Sequence, residues 1–280
     1  MHPALTKGSV AVVTGGASGI GLAAARHLAR LGMRICIADL DTPALAAARE
    51  TLIFDSTAPN DVIAVPTDVA SRADLTRLAD RVGETFGAVN VLMNNAGIQP
   101  GSTIFDAEGN WDRILDVNMG GIIHGSQIFA PRMIAAGQPG LIINTGSKQG
   151  ITTPPGDPAY NVSKAAVKAF TEALQHTLRN TPDAQVEARL FIPGFVYTPL
   201  TSHGRTERPA GAWTPEQVVA FLFQSIERGD FYILCPDNEV DRRTDEKRIL
   251  WAAGDITENR PPLSRWHPDY GDAFQKWLKS

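Results

Sequence analysis

Val10-Ala11-Val12-Val13-Thr14-Gly15-Gly16-Ala17-Ser18-Gly19-Ile20-Gly21, followed by Leu22, Ala25, Leu28 and Ala29 and then by Arg34-Ile35-Cys36-Ile37-Ala38-Asp39, decides the fold. The opening residues are apolar and rich in β-branched side chains, the pattern of a strand buried on both faces. Glycines follow without a spacer. The leucines and alanines after them fall at helical spacing. A second apolar strand closes on an acid. Gly21 and Asp39 are eighteen residues apart, near the roughly 20 of a dinucleotide-binding βαβ unit. Glycine lets the backbone turn tightly and approach a pyrophosphate. The helix start supplies N–H donors and a positive dipole end. A carboxylate at Asp39 suits the ribose hydroxyls and repels a 2′-phosphate, and neither Ala17 nor Ser18 supplies a cation. The unit therefore predicts NAD in preference to NADP.

The alternation continues along the chain. Helical stretches are expected at about Pro43 to Asp55, Ser71 to Phe86, Asn110 to Ala136 (interrupted near Asn118 by Gly120 and Gly121), Asp157 to Thr181 and from Pro215 onward. Strands are expected at Val62–Val65, Val89–Met93, Leu141–Asn144, Val186–Ile192 and Phe231–Cys235. Strands alternating with helices predict an α/β doubly wound, Rossmann-like three-layer sandwich with a parallel sheet of about seven strands. Ligands of such sheets bind beyond the carboxyl ends of the strands. Thr14-Gly15, Asp39, Asp68, Asn94, Ser147 and Pro193 all lie at such ends.

Ser147 to Lys164 carries the second body of chemistry. Asp157-Pro158 reads as a helix start, with a carboxylate to cap free N–H groups and a proline at the first helical position. Tyr160 then lies in the first turn, and Lys164 lies one turn later on the same face. A free tyrosine, with a pKa of about 10, is a poor base near neutrality. A nearby cation and the helix dipole both favour its phenolate. Ser147, thirteen residues before Tyr160, ends a buried strand, so its hydroxyl and the phenol can hold a substrate oxygen between them. Tyr-x-x-x-Lys is common by chance; its context gives it weight.

The composition is that of an ordinary soluble chain: 280 residues, 43% hydrophobic, 20% charged, formal net charge −4. It has no basic stripe for nucleic acid, no apolar run long enough to span a membrane and no signal-peptide core at Met1 to Lys7. Cys36 and Cys235 lie in apolar strand runs and read as buried thiols, so a cytoplasmic, reducing location is expected. The histidines are scattered (His2, His27, His124, His176, His203, His267), and no metal site is expected.

Taken together, these motifs resemble those of the short-chain dehydrogenases/reductases, in their shorter single-domain branch. The likeness covers about Gly8 to Cys235. Its motifs are Thr-Gly-x-x-x-Gly-x-Gly at Thr14 to Gly21, Asn-Asn-Ala-Gly at Asn94 to Gly97, Ser147 with Tyr160-x-x-x-Lys164, and Pro193-Gly194. The resemblance implies an NAD-dependent oxidoreductase acting on a secondary alcohol or ketone. Tyr160 would be the general acid/base, and Lys164 would lower its pKa and bind the nicotinamide ribose. Ser147 would hold the substrate oxygen, and Asn118 would anchor a water leading from Lys164 to solvent. Asn94 would stabilise the sheet near the cofactor. Cofactor contacts are implied at Gly15, Ser18, Gly19, Ile20, Gly21, Asp39 and Leu40. Asp68 and Val69 would line the adenine site. Asn95, Ala96, Gly97, Tyr160, Lys164, Pro193, Gly194 and Val196 complete the cofactor set, with Thr198 at the carboxamide. Asn118 alone reads as a helix-interior asparagine beside a glycine kink. Gly146 departs from the family, which often has a hydroxyl residue there.

Substrate identity does not follow from these residues. Gln99, Gln149, Phe195, His203 and Trp213 follow strand ends or sit in the covering loop, and with Ser147 they are the pocket candidates. Competing readings are a non-catalytic NAD-binding regulator on the same fold and a dehydratase or epimerase of the extended branch. A homodimer or homotetramer is expected, because the helix from Asp157 carries Ala165, Ala166, Ala169, Phe170 and Ala173. Residues 1–235 are expected to form the catalytic domain. Residues 236–280 are expected to form an extension packed on it or on a neighbouring subunit. Three of the five tryptophans, Trp251, Trp266 and Trp277, lie in that extension, which argues for order. Its helix is expected at Glu246 to Ala253, with Ile249 and Leu250 apolar and Lys247 and Arg248 solvated.

Overall fold

Seven strands lie parallel in one sheet in the computed structural model, which describes residues 1–106, 109–202 and 204–280. In chain order the first half is β1 (Val10–Thr14), α1 (Gly19–Arg30), β2 (Arg34–Asp39), α2 (Pro43–Asp55), β3 (Val62–Pro66), α3 (Arg72–Phe86), β4 (Val91–Asn94), α4 (Asn110–Leu115) and α5 (Gly121–Ala135). The second half is β5 (Gly140–Thr145), α6 (Gln149–Thr152), α7 (Pro158–Arg179), β6 (Val186–Ile192), α8 (Pro199–Ser202), α9 (Pro215–Glu227), β7 (Tyr232–Leu234), α10 (Arg242–Thr257) and α11 (Gly271–Lys279). The strand order is β3-β2-β1-β4-β5-β6-β7.

Strand side chains alternate between the two faces, and both faces are covered. Ala11, Val13, Ile35, Ile37, Met93 and Ile143 pack with Leu28 of α1, Leu52 of α2 and Leu222 of α9. Val10, Val12, Cys36, Leu92 and Ile142 pack with Leu75 of α3, Phe129 of α5 and Leu178 of α7. This two-sided burial is why the strands read as unbroken apolar runs. Both cysteines are buried, and burial pushes both thiols well above their usual range. No helix among the described residues is long and apolar enough to cross a membrane.

The order reverses between β1 and β4, which opens a crevice at their carboxyl ends. Thr14 ties the two strands there. Its Oγ1 accepts the backbone N–H groups of Asn95 (2.9 Å) and Ala96 (3.2 Å). Asn94 lies below, donating to Asn144 Oδ1 at 2.8 Å and to Ser126 Oγ at 3.2 Å.

Three local expectations are corrected. The interruption of the helix from Asn110 falls at Asn118 as expected, but it is a π-helical turn over Asp116–Gly120 that joins α4 to α5 rather than a break, and Gly121 opens α5. Asn118 lies in that turn, buried, and its amide holds Ile98. Asp157 precedes α7 but makes no capping bond. Instead Ser102 Oγ donates to Asp157 Oδ1 at 2.5 Å and accepts the Ala159 N–H at 2.9 Å, so a distant hydroxyl supplies the cap. In the extension, α10 is longer than expected and its faces differ from those expected. Ile249 packs inward, but Leu250 is exposed. Lys247 Nζ donates to the carbonyls of Trp277 and Leu278 of α11. Arg248 is half-buried with its Nε enclosed.

Candidate active site

The carboxyl ends of the central strands open into a cavity of about 670 Å³. Gly15, Ser18, Gly19 and Ile20 form its floor. Gly15 has φ +65, and a Cβ there would lie 2.8 Å from Ala96 Cα. Gly21 sits behind the loop instead of facing the cavity. A Cβ on it would lie 2.1 Å from the Gly15 carbonyl oxygen, so its role is to let the helix start close on the turn.

Asp39 and Leu40 line one end. Asp39 Oδ2 accepts the Ala17 N–H at 3.0 Å, and Oδ1 accepts the Leu40 N–H at 2.9 Å. The glycine turn and the acid are thus locked together, with the carboxylate on the cavity wall. Asp68, Val69, Asn95, Ala96 and Gly97 continue the wall, and Pro193, Gly194, Val196 and Thr198 close the other side.

Ser147, Tyr160 and Lys164 meet at the inner end. Tyr160 and Lys164 are buried. Burial pushes the Tyr160 phenol up to about 12, against a lowering hydrogen bond with Ser147; Asp157 adds to the rise. Burial pulls the Lys164 ammonium down to about 8. Lys164 is not among the groups that shift the Tyr160 phenol here; burial dominates. Lys164 Nζ lies 5.7 Å from the Tyr160 ring centroid and donates to the Thr145 carbonyl at 2.9 Å.

Asn118 does not line the cavity. It is fully buried. Its Oδ1 accepts the Ile98 N–H at 2.8 Å and its Nδ2 donates to the Ile98 carbonyl at 2.9 Å. The side-chain amide is thus committed to the strand-end loop.

The substrate candidates are placed less well. Gln99, Gln149 and Phe195 do not line the cavity, and His203 lies outside the described residues. Gln149 acts through its backbone, whose N–H donates to Ser147 Oγ at 3.2 Å. Phe195 likewise donates its backbone N–H to Asp237 Oδ2 at 3.2 Å. Trp213 pairs its backbone with Phe195 and Tyr197 in the covering loop.

That last acid belongs to a cluster the sequence reading missed. Lys148, next to Ser147, sits 2.6 Å from Asp245 Oδ2 of α10 and 3.4 Å from Asp237 Oδ2. Asp237 also accepts the N–H groups of Glu239 and Val240. Burial holds the Asp245 carboxyl above its usual range, with Lys148 pulling it down. The cluster joins the Ser147 strand end, the loop after Gly194 and the C-terminal extension. Its only local signal was a lysine beside Ser147; its partners lie about ninety residues on.

No group of three or more potential metal-ligating side chains occurs among the described residues. The short chain dehydrogenase family pattern matches residues 9–209. The chain is 30% identical over 249 residues to the 1-deoxy-11-beta-hydroxypentalenate dehydrogenase of Streptomyces avermitilis, covering 87% of this chain and 90% of that one. It is 34% identical over 198 residues to the NADP-dependent (R)-specific alcohol dehydrogenase of Lentilactobacillus kefiri, covering 69% and 75%. The match to the oxidoreductase SadH of Mycobacterium tuberculosis, 38% identical over 173 residues, spans 61% of each chain. Among solved structures, a Burkholderia phymatum short chain dehydrogenase/reductase in complex with NAD superposes with a TM-score of 0.82 at 33% identity, covering 91% and 96%. The pattern match and these relatives agree with the strand order: the chain belongs to the short-chain dehydrogenase family.

Proposed function

We propose that this chain is an NAD-dependent alcohol dehydrogenase or ketone reductase, with Tyr160 as general acid/base. The observation that carries the reading is the meeting of Ser147, Tyr160 and Lys164 at one end of a cavity whose other end carries Asp39. The cavity suits a dinucleotide. Its floor excludes side chains at Gly15, its turn presents helix N–H groups, and its far wall carries a fixed carboxylate. Gly15, Ser18, Gly19 and Ile20 would hold the pyrophosphate, Asp39 the adenosine ribose, and Asp68 and Val69 the adenine. Asn95, Ala96, Gly97, Lys164, Pro193, Gly194, Val196 and Thr198 would hold the nicotinamide half. When bound, nicotinamide supplies the hydride donor or acceptor.

The chain's own residues do the proton chemistry. Ser147 Oγ, steadied by the Gln149 N–H, holds the substrate oxygen. A phenol near 12 is protonated at neutral pH, ready to donate to the oxygen of a ketone as it is reduced. In alcohol oxidation the same oxygen takes the proton. A phenolate formed there is favoured by the Ser147 hydrogen bond and by the Lys164 charge. With the Asn118 amide engaged by Ile98, a water path past Asn118 would use its backbone.

The substrate class is a secondary alcohol or its ketone, in line with relatives named as hydroxy-compound and alcohol dehydrogenases. Asp39 argues for NAD here, although one of those relatives is named NADP-dependent. Ala169 and Ala173 of α7 are exposed, which supports pairing of this helix in a homodimer or homotetramer. The test is reduced-nicotinamide absorbance with a panel of secondary alcohols and ketones. Turnover supports the enzyme reading; tight NAD binding with no turnover across the panel favours a regulator.

A further inference from the structure

A second cavity, of about 240 Å³, lies between α6 and the C-terminal extension. It shares no lining residue with the cofactor cleft. Thr152 and Thr153 form one wall, Trp251, Ala252 and Trp266 others, and Arg248 and Arg265 face it. Neither arginine has an ion-pair partner among the described residues. Two acids are close: Asp245 acts on both guanidiniums through space, and Asp255 lines the cavity itself, but each is paired with another cation. Asp245 pairs with Lys148 at 2.6 Å, and Asp255 pairs with Arg260 at 3.0 Å and also accepts from Ser264. Arg248 Nε is enclosed and makes no hydrogen bond. Arg265 lies over the rings of Trp266 (4.6 Å) and Phe274 (5.1 Å), which fix its position without neutralising it. Buried donors are normally paired, so two guanidiniums without an ion pair on one cavity, offset only at a distance by Asp245, leave room for a negative charge.

We infer that this cavity binds a small carboxylate with a flat apolar body: the guanidiniums of Arg248 and Arg265 hold the carboxylate, and Trp251 and Trp266 flank the body. Guanidinium and carboxylate match in a two-pronged, charge-assisted geometry. The cavity is below the about 300–1,000 Å³ of drug-sized pockets, which limits the body to a single ring or a short chain. Burial and the neighbouring Arg248 pull the Arg265 guanidinium down to about 10, with Asp245 opposing them, so it stays charged at neutral pH. Two of the four described non-glycine residues with positive φ, Thr153 (φ 39) and Leu263 (φ 56), line this cavity. Such backbone is retained where the surroundings demand it, and it clusters at ligand sites.

The test is isothermal titration of the full-length chain with sodium benzoate, and with benzamide as the neutral isostere. Benzoate should bind at one site per chain, and benzamide about tenfold or more weakly, a difference of one or more charge-assisted contacts. Saturating NAD should not displace benzoate, and Tyr160→Phe should bind it unchanged. Arg248→Gln and Arg265→Gln should each weaken it about tenfold. Ala252→Leu fills the cavity without touching a charge, and should abolish binding while NAD affinity is kept. Absence of benzoate binding to the wild-type chain overturns the inference. So does equal affinity for benzamide, binding that survives Ala252→Leu, or displacement of benzoate by NAD.

Discussion

The Lys164 ammonium donates to the Thr145 carbonyl at 2.9 Å, not to the Tyr160 phenol. The bond anchors the cation to the last residue of β5, two residues before Ser147. It holds the charge at the inner end of the cavity before any ligand arrives.

Burial of that ammonium has a pH signature. Unfolded Lys164 titrates at its ordinary 10.5 and the folded residue near 8. Between these values the unfolded chain binds the extra proton, so stability rises with pH. Tyr160, ordinarily 10.0 and about 12 when folded, acts oppositely above pH 10. The buried thiols of Cys36 and Cys235, ordinarily at 9.0 and raised by burial, also act oppositely above pH 9, so the clean window is pH 8 to 9. Lys164→Met should be the more stable chain near pH 7, by up to about 3 kcal/mol, and should lack the rise. Urea midpoints of the cofactor-free proteins across this window check it. Parallel profiles for the two chains would remove the buried charge from the account.

Asp39 should set cofactor choice. Its carboxylate is held by Ala17 and Leu40, where a 2′-phosphate would meet a negative charge. kcat/KM should favour NAD over NADP, and Asp39→Ala should narrow the gap mainly by weakening NAD. A wild-type preference for NADP contradicts this reading.

Lys148→Met should leave Asp237 and Asp245 without their cation. Removing one partner of a buried pair costs about 3–5 kcal/mol; Lys148 keeps 17% side-chain exposure, which favours the lower end. KM for substrate should rise, with NAD affinity kept, because Lys148 adjoins Ser147 and Asp237 holds the Phe195 N–H. A chain cut after Asp237 should shift KM in the same direction. Denaturant titration and steady-state kinetics read both effects; unchanged KM in both variants would remove the extension from the site.

Exposed Ala169 and Ala173, with Val162 48% exposed on the same helix, should be covered in a dimer or tetramer. Light scattering should show it, and Ala169→Arg should shift the population to monomer. A monomeric wild type at micromolar concentration contradicts this.

The sheet was legible because its central strands are buried on both sides, so apolar runs and glycine turns mark it without long-range information. The glycine turn, Asp39 and Tyr160 to Lys164 were legible because each motif is local. Asp157 looked like a cap because its spacing fits one, but Ser102, fifty-five residues away, took the bond. Lys148 with Asp237 and Asp245 was invisible for the same reason: its partners come together only when α10 packs against α6. The glutamines were chosen by type and strand-end position, which do not reveal that they lie off the cavity lining or that the Gln149 backbone N–H reaches Ser147.

The central claim is that Tyr160 moves the proton. General acid–base catalysis contributes about 10²–10⁴-fold, and the phenylalanine ring preserves the packing of a buried residue. Tyr160→Phe should lower kcat by that factor on any alcohol or ketone the wild type turns over, with NAD affinity nearly unchanged by calorimetry. A variant that keeps near wild-type kcat would show that another group carries the proton.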